Sequence, residues 1–304
     1  MLAIVAASLC LQACERFVAI SPPEFSTQAV VSGLIQADRP WEVYISQTEG
    51  YFADIGPLER TDAIVWIELA NTDTFHLPYT SSLSPQISPP FLAGYQTREP
   101  LPKAGNTYII HVEVPGLEPI TAQMVMPHSP NIIDASWEDS ASIDPQGRLM
   151  SRLSLQLKDP DIHQRNYFFV YAETIELPKT NIEWNSEDPS IRFDMRLAQR
   201  DSNNIYSIFQ QAQYISDEWF TDSIHTLDFF IPSSRMAFLA NFYQGWSLKL
   251  ACINEPFYRY TEEYVKQRNA SNNPYAEPSP VYNNIQGGYG VWGGYSLDSL
   301  EFYW

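Results

Sequence analysis

The chain is poor in basic residues, cysteine and catalytic motifs, and each shortage narrows what it can be. Eighteen Lys and Arg stand against 36 Asp and Glu among 304 residues, a formal net charge of −18. Phosphate backbones are held by clustered cations, so nucleic acid is excluded as a partner. The same sign disfavours electrostatic docking on an anionic lipid surface; the charge itself reads as solubility. Of three cysteines, Cys10 and Cys14 belong to the N-terminal region, which leaves Cys252 with no intramolecular disulfide partner. Cys252 alternates with polar residues in WSLKLACIN and reads as a small core hydrophobe. The five histidines (76, 111, 128, 163 and 225) are scattered, without HExxH spacing or a cysteine neighbour. No zinc site is expected from them. A GxSxG elbow is missing as well, which removes a lipase- or esterase-type serine. No motif asks for a cofactor.

The N-terminus sets the compartment. Met1–Ala13 (MLAIVAASLCLQA) is uncharged in its side chains and almost wholly apolar. Thirteen residues are too few to cross about 30 Å of hydrocarbon as a helix, so the run reads as a signal h-region and not an anchor. Leu11-Gln12-Ala13-Cys14 has the form of a lipobox: aliphatic, then small, then the cysteine that receives lipid. Cys14 is therefore the expected lipidation site, with cleavage of an ordinary signal near Ala13 as the alternative. The expected order is a signal peptide over 1–13, then a tether over 14–25 stiffened by Pro22-Pro23.

From Gln28 onward the chain reads as strands. AVVSGLIQA, WEVYISQT, AIVWIELAN, TYIIHVEV and a short strand over Thr121–Met126 come at regular spacing, with turn signals between them. They predict a small Ig- or transthyretin-like sandwich over 26–127. A larger β-rich domain over 128–304, a second sandwich or barrel-like unit, follows the junction at Pro127-His128. It includes LMSRLSLQLKD, the apolar run NYFFVYAETIEL and HTLDFFIP. The fold class is all-β, with one short helix. That helix is predicted in NEPFYRYTEEYVKQRN, capped by Asn254, with Pro256 in its first turn and Phe257, Tyr260, Tyr264 and Val265 as its packing stripe. Arg259/Glu263 and Glu262/Lys266 are spaced for ion pairs on its outer face.

Candidate chemistry is sparse. Adjacent carboxylates occur at Glu138-Asp139, Asp159/Asp161, Asp217-Glu218 and Glu262-Glu263. Glycoside hydrolysis needs two carboxyls about 5–10 Å apart, but nothing in the sequence selects a pair. Asp159-Pro160-Asp161 with Asn166 could serve a hard cation, though the EF-hand spacing and its glycine are absent; as a turn between strands it needs no metal. The C-terminus is different. Only 13 residues in the chain are glycine, yet five of the eight residues from Gly287 to Gly294 are glycine, interleaved with Tyr289 and Trp292. Glycine concentrates where backbone takes positive φ or where another group packs very close. No P-loop Lys or Ser/Thr accompanies these glycines. The segment is expected to be a buried closure, with rings over bare glycine backbone, leading into a final strand from Ser296 to Trp304.

Taken together, the lipobox, the small β-domain, KDPDIHQRNYFFVY, EPFYRYTEEYVKQR and above all NPYAEPSPVYNNIQGGYGVWGGYSLDS resemble the Bacteroidota outer-membrane lipoproteins grouped as domain of unknown function 4249. The signature positions matched are Pro274-Tyr275, Glu277-Pro278, Asn284, Ile285, Gly287, Gly288, Gly290, Trp292 and Gly293, with Tyr289 where the family usually has Leu and Trp292 where it usually has Phe. The resemblance spans essentially the whole chain and brings no catalytic residue with it. It implies a membrane-anchored protein, held by lipid on Cys14, that serves as an accessory binding or docking subunit beside a TonB-dependent receptor. A surface glycan hydrolase and a purely structural envelope protein are the alternatives.

Overall fold

The computed structural model describes residues 25–50, 58–70, 72–81, 94–158, 164–175, 192–198, 205–207, 212–220, 222–270 and 280–304. The expected signal peptide, Cys14, Asp159, Asp161 and the Pro274–Pro278 part of the signature lie outside these residues. The described chain is all-β, as expected. Its strands are β1 (Ala29–Gln36), β2 (Trp41–Gln47), β3 (Leu58–Glu59), β4 (Ile64–Leu69), β5 (Thr74–Leu77), β6 (Tyr79–Thr80), β7 (Gly94–Thr97), β8 (Thr107–Glu113), β9 (Ile120–Val125) and β10 (Asn131–Ile143). There follow β11 (Leu149–Lys158), β12 (Tyr167–Ile175), β13 (Arg192–Phe193), β14 (Arg196–Leu197), β15 (Ile205–Ser207), β16 (Ala212–Ser216), β17 (Ile224–Pro232), β18 (Gly245–Ile253) and β19 (Tyr289–Tyr303). Helices α1 (Ser233–Ala240) and α2 (Glu255–Ala270) flank β18.

Two sandwiches share one sheet. Four strands in the order β5-β4-β8-β9 pack over β1, β2 and β7. The period-2 burial of β1, β2 and β8 puts Val31, Ile35, Trp41, Val43, Ile45, Tyr108, Ile110 and Val112 into this first core. A second four-stranded sheet, β10-β11-β17-β14, packs over β12, β16 and β18. There Leu153, Leu155, Leu157, Leu227, Phe229 and Ile231 meet Phe168, Val170, Trp246, Leu248, Leu250 and the buried Cys252. β12 is covered on both sides, which is why NYFFVYAETIEL reads as continuous hydrophobicity. On its other face Tyr167, Phe169 and Tyr171 lie in a third cluster with Phe257 and Tyr258 of α2.

The large shared sheet runs β15-β16-β12-β18-β19-β1-β2-β7-β6, with β13 on β12 and β3 on β2. β19 is its centre. The N-terminal half of β19 runs parallel to β1, from Val30↔Tyr289 to Gln36↔Tyr295. Its C-terminal half runs antiparallel to β18, from Ile253↔Tyr295 to Gly245↔Tyr303. Backbone hydrogen bonding therefore continues across the boundary read at Pro127-His128, and Tyr295 pairs on both sides.

Three local readings need correction. The last strand begins at Tyr289 and not at Ser296, so Gly290, Gly293 and Gly294 sit inside it; without side chains they leave no strand alternation to read. A second helix, α1, is present, with only Met236 and Leu239 buried and no side chain capping its start. In α2 the buried face is Phe257, Tyr258 and Thr261, whereas Tyr264 is exposed and stacks on Tyr260. Arg259 pairs with Glu255 and not Glu263; the Lys266–Glu262 pair forms as expected, at 2.7 Å.

Candidate functional site

The signature residues converge where the two sandwiches meet. Asn284 uses its side-chain amide as a strand would use its backbone: Nδ2 donates to the Trp292 carbonyl at 2.8 Å, and Oδ1 accepts from the Trp292 N–H at 3.0 Å. Asn283 closes the preceding turn, accepting from the Ile285 N–H at 3.1 Å and donating to the Gly288 carbonyl at 3.1 Å. Gln286 forms an isolated bridge with Thr121 of β9, and Ile285 enters the first core.

Glycine is required at two of these positions for stated reasons. Gly287 has φ +81°, and a Cβ there would lie 2.2 Å from the Pro119 carbonyl oxygen. Gly290 has φ +121°, and a Cβ would fall 1.9 Å from the Val31 oxygen. Both values are left-handed backbone that side chains resist. Gly288 abuts the Ala29 carbonyl, and Gly293 abuts Asn254 and Phe257. The bare backbone thus lets β19 slide between β9, β1 and α2.

Trp292 fills the first core from the far end of the chain. It is fully buried, and its ring parallels that of Trp41 at 6.1 Å. Its Nε1–H donates to the Tyr108 carbonyl at 3.3 Å. The glycine that the ring covers is Gly33 of β1, where an added Cβ would meet the ring at 2.6 Å. The rings-over-glycine expectation is met, though on the partner strand.

Asn254 ties α2 into the same junction. Its N–H donates to the Gly294 carbonyl at 3.0 Å, its Oδ1 caps the Phe257 N–H at 3.2 Å, and its Nδ2 reaches the Val125 carbonyl. Tyr295 donates to Gln36 Oε1 at 3.0 Å, and burial holds its phenol far above the ordinary range. Burial also pushes Tyr171 up to about 12, with Glu173 adding to the shift; Arg192 stacks over its ring at 4.0 Å.

Beside the junction an open cleft of about 720 Å³ separates the end of β9 from the start of β12. Val125, Met126, Pro127, Tyr167, Cys252 and Ile253 give it an apolar floor, and His128, Arg165, Asn166, Asn254 and Glu255 give it polar walls. Arg165 is paired with Glu218, Tyr167 stacks on Tyr258 at 4.4 Å, and His128 lies against Gly105.

Two of the described carboxylate pairs are turned to separate partners. Glu138 pairs with Arg152 at 2.5 Å, while Asp139 accepts from buried Ser151. Asp217 accepts from the Asn166 backbone at 2.7 Å, and its neighbour Glu218 reaches Arg165. His76 and His111 flank Trp66 on the outer face of the small sheet, and His225 lies on Phe220. Among the described residues no three His, Cys, Asp or Glu side chains are grouped to hold a metal ion.

Sequence reading did not find Gly33, Tyr108 or Thr121, the partners of the signature. Gly33 alone carried a signal, as an isolated glycine within a strand pattern. No curated protein sequence matches the chain. A family model matches residues 15–301, and the chain belongs to the family described as a domain of unknown function, DUF4249.

Proposed function

We propose that this is a lipid-anchored outer-membrane protein of the Bacteroidota that acts without catalysis, as a docking or binding subunit beside a TonB-dependent receptor. The observation that carries the reading is positional. The family match begins at residue 15, directly after Cys14 of the Leu11-Gln12-Ala13-Cys14 lipobox. The matched region would then start immediately behind a lipid-bearing residue.

The distances suit such a subunit. From Cys14 to Phe25, where the described chain begins, eleven residues reach at most about 40 Å when extended. An anchor on Cys14 would hold the two sandwiches within a protein diameter of the bilayer, in range of an embedded receptor. The junction supports rigid presentation, because one strand runs through both sandwiches.

Affinity purification from gently solubilised native membranes, with mass spectrometry of the co-purifying proteins and of the N-terminal peptide, tests the proposal. A diacylglyceryl group on Cys14 and a near-equal amount of a TonB-dependent receptor are expected. An unmodified Cys14, or lipidated protein recovered alone, overturns the anchor or the docking reading respectively.

A further inference from the structure

One end of the second sandwich is apolar. β10 and β11 reach it at their closing pair, Ile143↔Leu149, and the next residue, Met150, pairs with Pro232 directly before α1. α1 caps this end, with Met236 and Leu239 in the core and Phe238 exposed. The chain then passes through Phe242 and Gln244 into β18, and the Trp304 N–H donates to the Gln244 carbonyl at 3.2 Å. Ile143 is 67% exposed and Tyr303 64%, and Leu149, Phe238 and Trp304 are exposed beside them. The Phe238 and Phe242 rings meet at 4.9 Å. Apolar side chains gathered in this way mark a contact surface for a protein or a membrane.

The charges at this end balance. Arg148 lies 2.7 Å from Asp144, Tyr303 donates to Glu301 at 2.6 Å, and Arg235 sits over the Phe238 ring. Two arginines thus offset one Asp and one Glu, in a chain whose net charge is −18. The surface is aromatic, apolar and close to neutral, with arginine as its cation. That is the composition of the buried centre of protein interfaces.

Position selects the occupant. β1 runs parallel to β19, and Phe25 lies beside Gly50, past the end where Val30 pairs with Tyr289. The tether therefore enters at the opposite end of β19 from Tyr303. The 15 residues of β19 span about 46 Å at 3.3 Å per residue, whereas the eleven from Cys14 to Phe25 reach at most about 40 Å. With lipid on Cys14, the apolar end cannot turn down onto the anchoring bilayer. Nor can it meet a second copy end to end. Two chains held in one leaflet point the same way, and end-to-end pairing needs them opposed. We infer that α1, the β10–β11 turn and the close of β19 form a docking surface for another protein, one whose matching surface is apolar, uncharged and clear of the bilayer. The choice of occupant rests on the lipid-anchor reading.

A photo-crosslinking residue in place of Phe238, in the full chain in its native membranes, tests the surface. The same residue in place of Leu58, beside the tether end, is the comparison. Expected from 238 is one adduct with a second protein, joined through an apolar, uncharged peptide of that partner, with a yield unchanged in about 0.5 M salt. None is expected from 58. Adding Ile143→Ser/Leu149→Ser should cut the yield at least about tenfold. The same pair should leave the unfolding midpoint of the purified protein unchanged, because both side chains are exposed. An adduct of twice the chain mass, an adduct with lipid, a crosslink within one chain or no adduct would overturn the surface. So would an equal adduct from 58, or an undiminished yield in the serine variant. The N-terminal peptide of the same sample separates the two readings: an unmodified Cys14 with the adduct retained refutes the anchor alone, and a lipidated Cys14 without the adduct refutes the surface.

Discussion

Replacing Trp292 with alanine should remove a central support of the first sandwich, although the residue lies about 160 positions beyond that sandwich in the sequence. The side chain is fully buried between Trp41 and Gly33, and its Nε1–H is bonded to the Tyr108 carbonyl. Truncating a buried Trp costs about 3–5 kcal/mol, and leaving a buried carbonyl short of its donor adds about 1 kcal/mol. Against a typical stability of about 5–15 kcal/mol, a loss of about 4–6 kcal/mol is large. Urea unfolding followed by tryptophan fluorescence and far-UV circular dichroism measures it. Gly33→Ala provides the internal control, because its Cβ would sit 2.6 Å from the ring. Alone it should cost about 1–3 kcal/mol by overpacking. In the Trp292→Ala background that cost should disappear, since the cavity accepts the methyl. Strict additivity of the two changes, or a loss below about 1 kcal/mol for Trp292→Ala, would refute the packing argument.

Other consequences are as direct. Gly290→Ala should destabilise by about 2–4 kcal/mol, from its φ of +121° and the 1.9 Å approach to Val31, and thermal unfolding reads it. Asn284→Ala removes both hydrogen bonds to the Trp292 backbone and should cost about 1–3 kcal/mol, with faster amide exchange at Trp292. Asn254→Ala should cost about 1 kcal/mol through the lost cap on Phe257. The buried tyrosines set an alkaline limit. Burial raises Tyr171 from 10 to about 12, so the folded state keeps a proton that the unfolded chain releases. The associated stability is complete below pH 10 and is lost progressively as pH climbs to about 12. Tyr171→Phe should flatten that decline by about 2–3 kcal/mol in denaturant titrations at pH 9–12.

Much of the fold was legible because its signals are local. Alternation in WEVYISQT and TYIIHVEV gave strands, and β12 gave a continuous apolar run because both of its faces are covered. Asn254 and Pro256 marked the start of α2. α1 leaves little signal, being eight residues long with Pro232 at its cap and only two side chains buried. Helical spacing puts Tyr264 in the packing stripe of α2, but spacing cannot tell which face a sheet covers, and Tyr264 is exposed. The parallel pairing of β1 with β19 joins opposite ends of the chain, and such pairing carries no local signature. The glycine cluster announced a close approach of backbone but not its partners, Val31 and Pro119. Edge position is equally silent: the exposure of β10 depends on a sheet order that no periodicity encodes.

The claim on which the fold rests is that β19 belongs to both sandwiches. Residues 25–127 expressed alone hold every strand of the first sandwich except β19, and so lack Trp292, Ile285 and the parallel ladder to β1. A two-dimensional amide NMR spectrum of that fragment decides the matter. Narrow, collapsed amide shifts are expected, becoming dispersed when a peptide of residues 280–304 is added. A dispersed spectrum from the fragment alone, unchanged by the peptide, would contradict the shared strand.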